Sequence, residues 1–320
     1  LNPPDLQLWL HPTLIPAWVI IGVFIAEAML PISARYHPLT IIRILADRMA
    51  ARVHPSTQRS VSQQRISGAL GFIVLLTPLI LIVALFTHVV EFPHLFDAIV
   101  LFFACEFRTC RRQMQRIIHA LEHEHKSLAR DLLSTFVLRQ TNTLSPLGIG
   151  KASLESMLLR FSYQVIAPVF WYLLFGAVAA LSYRMLYEVA QMWNRQQLRF
   201  IQYGAPIRWT VNLLQWLPNH VAVFIAAIAG SPRGVLSSRK PSAPCLRAKL
   251  LAKLGGALEV ELGGPAFYDG IKQRLSKVGG TRQVVFSDLH RGLQSVLRMQ
   301  MVCAVLVLLF CAIHYGARHL

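Results

Sequence analysis

Apolar residues gather into five long runs, at 14–32, 68–90, 165–187, 209–230 and 299–315. Each approaches the roughly 20 residues that a helix needs to cross a bilayer. A sixth run, 92–107, is shorter and is expected to be tilted or re-entrant. Two long polar stretches lie between these runs. One, 108–164, has a helical pattern with alternating charge; the other, 231–298, opens on the breaker-rich linker SPRGVLSSRKPSAP. The pattern predicts an all-α, polytopic integral membrane protein with five to six membrane helices, some of them re-entrant, and a basic cytoplasmic helical layer. No internal repeat divides the chain, so residues 1–320 are read as a single membrane domain.

Composition sharpens this. The chain is 54% hydrophobic, and it carries 32 Lys and Arg against 15 Asp and Glu. Its mean hydropathy is +0.47. A nucleic-acid binder would keep such an excess of cations on a less apolar, soluble domain. Here the cations lie between apolar runs, as in the loops of a membrane protein. The five cysteines form no paired spacing of a disulfide framework or zinc site. No basic stretch with a cleavage site precedes the first apolar run, which is expected to stay as an anchor.

The positive-inside rule places 33–66, 108–164 and 231–298 in the cytoplasm. Six crossings then put both ends of the chain, and segment 188–208, outside. That segment carries Arg195, Arg199 and Arg208, which conflicts with the rule. The conflict is relieved if 165–187, interrupted by Pro168 and Gly176, enters and returns on one side, and if 209–230, with Pro218 inside it, also fails to span.

Few local motifs point to chemistry. His119-Ala-Leu-Glu122-His123 matches a zinc-protease pattern, but it lies among Arg111, Arg112, Arg116, Lys126 and Arg130 with no evident third ligand, and is read as a solvated helix face. LGIGKAS at 147–153 lacks the residues of a phosphate loop and is read as a turn opening a helix near Lys151. ELGGPAFYDG at 261–270 offers backbone N–H groups to an anion, with Phe267 and Tyr268 beside them. Local chemistry favours a structural turn there, ahead of a helix over 271–277.

Taken in order, several segments resemble a known family. His37-Pro38 with Arg43, following Tyr36, is similar to its His-Pro-x-Arg opening. Arg65-Ile-Ser-Gly68-Ala69-Leu70, Arg139-Gln-Thr141, and Ala152-Ser-Leu-Glu155-Ser156 with Val165-Ile-Ala167-Pro168-Val-Phe170 follow, then Tyr183-Arg184 and Asn212-Leu213-Leu214. Gly256-Ala257-Leu258 through Leu262-Gly263-Gly264-Pro265, Tyr268 and Gly270 is the nearest match. The family is CobD/CbiB, the membrane-bound adenosylcobinamide-phosphate synthases of cobalamin assembly. The resemblance covers about residues 36–270. It departs at several acidic positions: Gln140 stands for an Asp, Val211-Asn212 for an Asp-Asp pair, and 159–164 and 187–192 lack the family's carboxylates.

The resemblance implies a multi-pass protein of the bacterial inner (cytoplasmic) membrane. The implied reaction is an ATP-dependent amide formation between a corrin propionate and an amino-alcohol phosphate, the work of a ligase, with Mg²⁺ as the implied metal. Glu155 is the implied catalytic carboxylate. Arg139, Arg160, Arg184, Gly263, Gly264 and Tyr268 are the implied anion- and substrate-binding residues. Implied partners are the corrinoid, the amino-alcohol phosphate, the lipid bilayer and other cobalamin-assembly membrane proteins, with no nucleic acid. The lost carboxylates leave a second reading open: a catalytically degenerate, AmpE-like membrane signalling or partner protein.

Overall fold

The computed structural model describes residues 11–30, 37–54, 59–242, 245–268 and 270–319. Tyr36 of the family resemblance, the end of the Ser/Pro/Arg linker and Asp269 lie outside them. The six apolar runs all form helices. These are α1 (Ile15–Met29), α3 (Val61–Val89), α4 (Pro93–Ala104), α8 (Ala167–Met192), α9 (Ala205–Ala229) and α12 (Ser287–His319). Polar helices fill the intervals: α2 (Pro38–Val53), α5 (Arg108–Glu122), α6 (Lys126–Ser134), α7 (Pro146–Phe161), α10 (Pro232–Leu236) and α11 (Leu246–Ala257). Four stretches are long and apolar enough to cross a membrane: Val61–Val89, Pro146–Met192, Ala205–Ala229 and Ser287–Ala317. The molecule is an all-α polytopic membrane protein with one small β element.

Local sequence sets the helix starts. Ser145 caps α7 by accepting from Gly148 N at 3.1 Å, and Pro146 follows where its missing N–H costs nothing. Helix α7 therefore begins before Lys151, with Gly148 and Gly150 inside it rather than ending a preceding element. Gly150 leaves room for Leu289 of α12, whose Cδ1 would lie 3.0 Å from any Cβ there. His37 caps α2 by accepting from Leu39 N. Between α7 and α8 the backbone widens into a π-turn, Ser162–Ile166. It lies just before Pro168, which has no N–H to return to the carbonyl four residues back.

The run Pro146–Met192 is not one straight rod. Gly176 has φ 80° and ψ −175°, a conformation essentially closed to other residues. There the chain doubles back. The Tyr163 and Tyr187 rings lie 5.7 Å apart, and Tyr183 Oη donates to Tyr163 O at 3.1 Å. In a continuous helix those rings would be separated by about 36 Å. The hairpin returns segment 193–204 to the side it left. There Trp193 Nε1 donates to Ala46 O at 3.2 Å, and Arg65 Nε to Gln202 at 3.0 Å. Both ends of helix α9 are tied to basic segments, Arg208 donating to Trp193 O and Ser231 N donating to Ala257 O. Counting six crossings put 188–208 outside; the reversal at Gly176 puts it with the other basic segments. Helices α1 and α12 reach the opposite face, where the His11 and Tyr315 rings meet at 4.6 Å.

The helix expected over 271–277 does not form. Strands β1 (Glu261–Gly263) and β4 (Lys277–Gly279) pair antiparallel, Leu262 facing Val278. Inside them β2 (Ala266–Tyr268) pairs with β3 (Ile271–Gln273). Gly270 and Gly279, both at positive φ, bracket the stretch 271–277, whose backbone pairs with β1 and β2 instead of with itself. A Cβ at Gly263 would run into Ser276 O.

Candidate functional site

The polar side encloses a cavity of about 910 Å³, toward the upper end of small-molecule pockets. Its cationic lining is arginine throughout: Arg43 from α2, Arg65 from α3, Arg139 and Arg160, Arg195 and Arg208, and Arg247 from α11. Phe136, Tyr163, Tyr187, Trp209 and Tyr268 supply flat apolar wall. Arg65 lies over the Trp209 ring at 5.3 Å and Arg160 over Phe136 at 4.7 Å. Among the described residues, Arg65, Arg160, Arg195, Arg208 and Arg247 have no carboxylate within 4.0 Å. Arg208 is instead fixed by the carbonyls of Trp193, Phe200 and Ile201. Planar guanidiniums arranged in this way suit a ligand bearing several carboxylate or phosphate groups.

A charged floor underlies the cavity. Arg184, wholly buried, donates through Nε to Ala104 O at 3.0 Å and through Nη1 to Glu188. Arg43 Nε reaches the other oxygen of Glu188 at 2.7 Å, and its Nη2 stands 3.5 Å from Glu106. His37 stands 4.0 Å from Glu106. Burial pushes the His37 imidazole below its ordinary range, outweighing the pull of Glu106, and its Nδ1 serves as the α2 cap acceptor.

The residues singled out from sequence divide into three groups. Arg139, Arg160 and Tyr268 line the cavity. Arg184 lies beneath it and holds the floor carboxylates. Glu155 lies behind the wall, 4% exposed. One of its oxygens pairs with Arg139 and the other accepts from Gly263 N at 2.6 Å. Gly264 N donates to Ser276 O at 3.3 Å, so neither glycine amide points at the cavity. Gln140 N donates to Phe267 O at 2.9 Å. Glu155 and this bond together clip the Arg139 loop to the strand module, which carries Tyr268 into the wall. In the same module burial pushes the Glu261 carboxyl up, but its hydrogen bond from Lys277 and the charge of Lys151 outweigh that and hold it below its usual range.

Of the floor, sequence reasoning assigned Arg184 alone, and of the arginines lining the cavity it assigned Arg139 and Arg160. The signals were present in other guises. Arg43 and Arg65 lie in the family-like segments, Arg195 and Arg208 created the charge conflict, and Glu188 falls where the family motif is broken. The expected metal is a different matter. Mg²⁺ wants several oxygen ligands, yet Glu106 and Glu188 both face guanidiniums. Among the described residues no three His, Cys, Asp or Glu converge. The described side chains therefore form no all-protein cage for Mg²⁺, which at phosphate sites is held by one or two carboxylates together with substrate phosphates. At the His119–His123 pattern, Glu122 turns instead to His290 at 2.8 Å.

The family model described as CobD/Cbib protein matches residues 19–296. A cobalamin biosynthesis protein CobD of Stutzerimonas stutzeri is 28% identical over 255 residues, 78% of this chain and 83% of that protein. One of Chromobacterium violaceum is 26% identical over 291 residues, 89% and 93% of the two chains. One of Mycobacterium tuberculosis is 28% identical over 211 residues, 62% and 66%. No solved structure matches the chain. With the match running from α1 into α12, through every segment that builds the arginine cavity, the chain belongs to the CobD/CbiB family.

Proposed function

We propose that the cavity binds a corrinoid carboxylate and an amino-alcohol phosphate and joins them as an amide, with ATP activating the carboxylate, at the cytoplasmic face of the bacterial inner membrane. The observation that carries this is the set of five arginines without acidic partners, set between aromatic walls in about 910 Å³. A corrin is broad and flat with carboxylate-derived groups at its rim. Aromatic faces suit its plane and guanidiniums its rim. The phosphates of the second substrate and of ATP need the same cations.

The residues then have distinct tasks. Arg160, Arg195 and Arg247 hold anionic groups from different walls. Arg65 and Trp209 form one stacked surface, and Tyr268 supplies another part of the aromatic wall. Glu155 keeps Arg139 and the Gly263 turn in place rather than meeting substrate. The cavity arginines stabilise charge on the transferring phosphate.

The test is complementation of a strain lacking cobinamide-phosphate synthase, fed cobyric acid on minimal medium. The chain is expected to restore growth, and the Arg160→Ala/Arg247→Ala double variant to fail at equal membrane expression. Failure of the wild-type chain at normal expression would overturn the proposal.

A further inference from the structure

We infer that Glu106 receives the ammonium group of the amino substrate and takes its proton; this rests on the amide-forming reaction proposed above. Among the described residues the cavity lining holds two carboxylates, Glu106 and Glu188. They are not equivalent. Both oxygens of Glu188 are taken, one by Arg184 and one by Arg43 at 2.7 Å.

Glu106 lies in the break between α4 and α5, its side chain 13% exposed. Its neighbours stand off. Arg43 Nη2 is at 3.5 Å, Arg184 Nη2 at 3.7 Å and His37 Nδ1 at 4.0 Å from Oε2, all beyond the roughly 3.2 Å of an N–H···O bond. His37 Nδ1 is also committed as an acceptor from Leu39 N. Thr109 Oγ1 donates to Oε1 at 3.2 Å, leaving Oε2 open. The wholly buried Arg184 Nη2 beside it has no hydrogen-bond partner either. The floor is thus incomplete at this point, and what it lacks on Oε2 is a donor.

An alkylammonium brings three N–H donors and a positive charge. Among the described lining residues only Glu106 and Glu188 offset the arginine charge, and of the two only Glu106 leaves an oxygen without a hydrogen bond. Glu106 takes one proton and frees the nitrogen lone pair. The nitrogen then forms the C–N bond to the carboxyl activated by ATP, the C–O bond to its phosphate-bearing leaving group breaks, and the second proton departs on that phosphate.

The experiment uses the full chain in lipid nanodiscs with cobyric acid, ATP and an amino-alcohol phosphate. A competing isostere carries hydroxyl in place of the amine. Glu106→Gln is expected to lower kcat/KM for the amine on the order of 10- to 100-fold, the loss of a charge-assisted hydrogen bond. Corrinoid binding, followed by its visible absorption, and inhibition by the hydroxyl isostere are expected to stay within about twofold. Glu106→Asp is expected to recover part of the rate. Unchanged kcat/KM in Glu106→Gln, or equal loss of amine and isostere, would overturn the role. A wild-type chain that binds corrinoid but forms no amide would overturn the reaction itself.

Discussion

Glu155 illustrates how one carboxylate can matter without meeting a ligand. It was the carboxylate that the family resemblance pointed to, and it is held by Arg139 and by Gly263 N. Removing one partner of a buried pair leaves the other charged and unpaired, at a cost of about 3–5 kcal/mol. Glu155→Gln is therefore expected to lower the unfolding midpoint sharply. Adding Arg139→Met is expected to cost less than the two single changes summed, with a coupling of about 0.5–3 kcal/mol in a double-mutant cycle. Additive effects would show that the two side chains do not support each other. That Glu155 belongs to the site was legible from its motif. That it acts from behind the wall was not, because the partner amide comes from a turn 108 residues away.

At the scale of elements, glycines decide where the chain changes direction. A Cβ at Gly176 would meet nothing within 4 Å, so its role is conformational rather than steric. Gly176→Ala must force alanine into a nearly forbidden region, costing about 1–3 kcal/mol. Gly22, inside α1 with equal space around it, provides the control. Gly22→Ala is expected to be neutral or mildly stabilising, by up to about 1 kcal/mol. Thermal unfolding of both variants in the same lipid separates the cases; equal midpoints would remove Gly176 as the hinge of the hairpin. The six apolar runs were readable from sequence because hydropathy reports local composition. The hairpin was legible only as one way to relieve the charge conflict, because apolar runs look alike whether a helix continues or reverses; the strands of 261–279 were not legible, because their pairing joins residues distant along the chain.

For the whole molecule, the reversal resolves the distribution of charge. Segments 37–54, 108–164, 188–208 and 231–286 share one side, and two of the three arginines that violated the positive-inside count, Arg195 and Arg208, become cavity lining. One native residue reports on this. Cys245 is exposed, whereas Cys105, Cys110, Cys303 and Cys311 are buried. A membrane-impermeant maleimide is expected to label Cys245 in inside-out vesicles. Arg199→Cys in a Cys245→Ser background is expected to label from that same side, and His314→Cys from the other. Labelling of Arg199→Cys together with His314→Cys would restore the six-crossing arrangement.

By itself the sequence determined that this chain is an all-helical membrane protein with a basic face, since helix formation and lipid burial depend on runs of neighbouring residues. Its ordered motifs also marked the CobD/CbiB family, with Arg139, Arg160 and Tyr268 among the residues that line the cavity. Tertiary structure alone decided which charges meet. Arg43 reaches Glu188 across 145 positions, and Arg184 joins Ala104 across 80. No local pattern encodes those distances, because the chain brings such residues together only after turning back at Gly176.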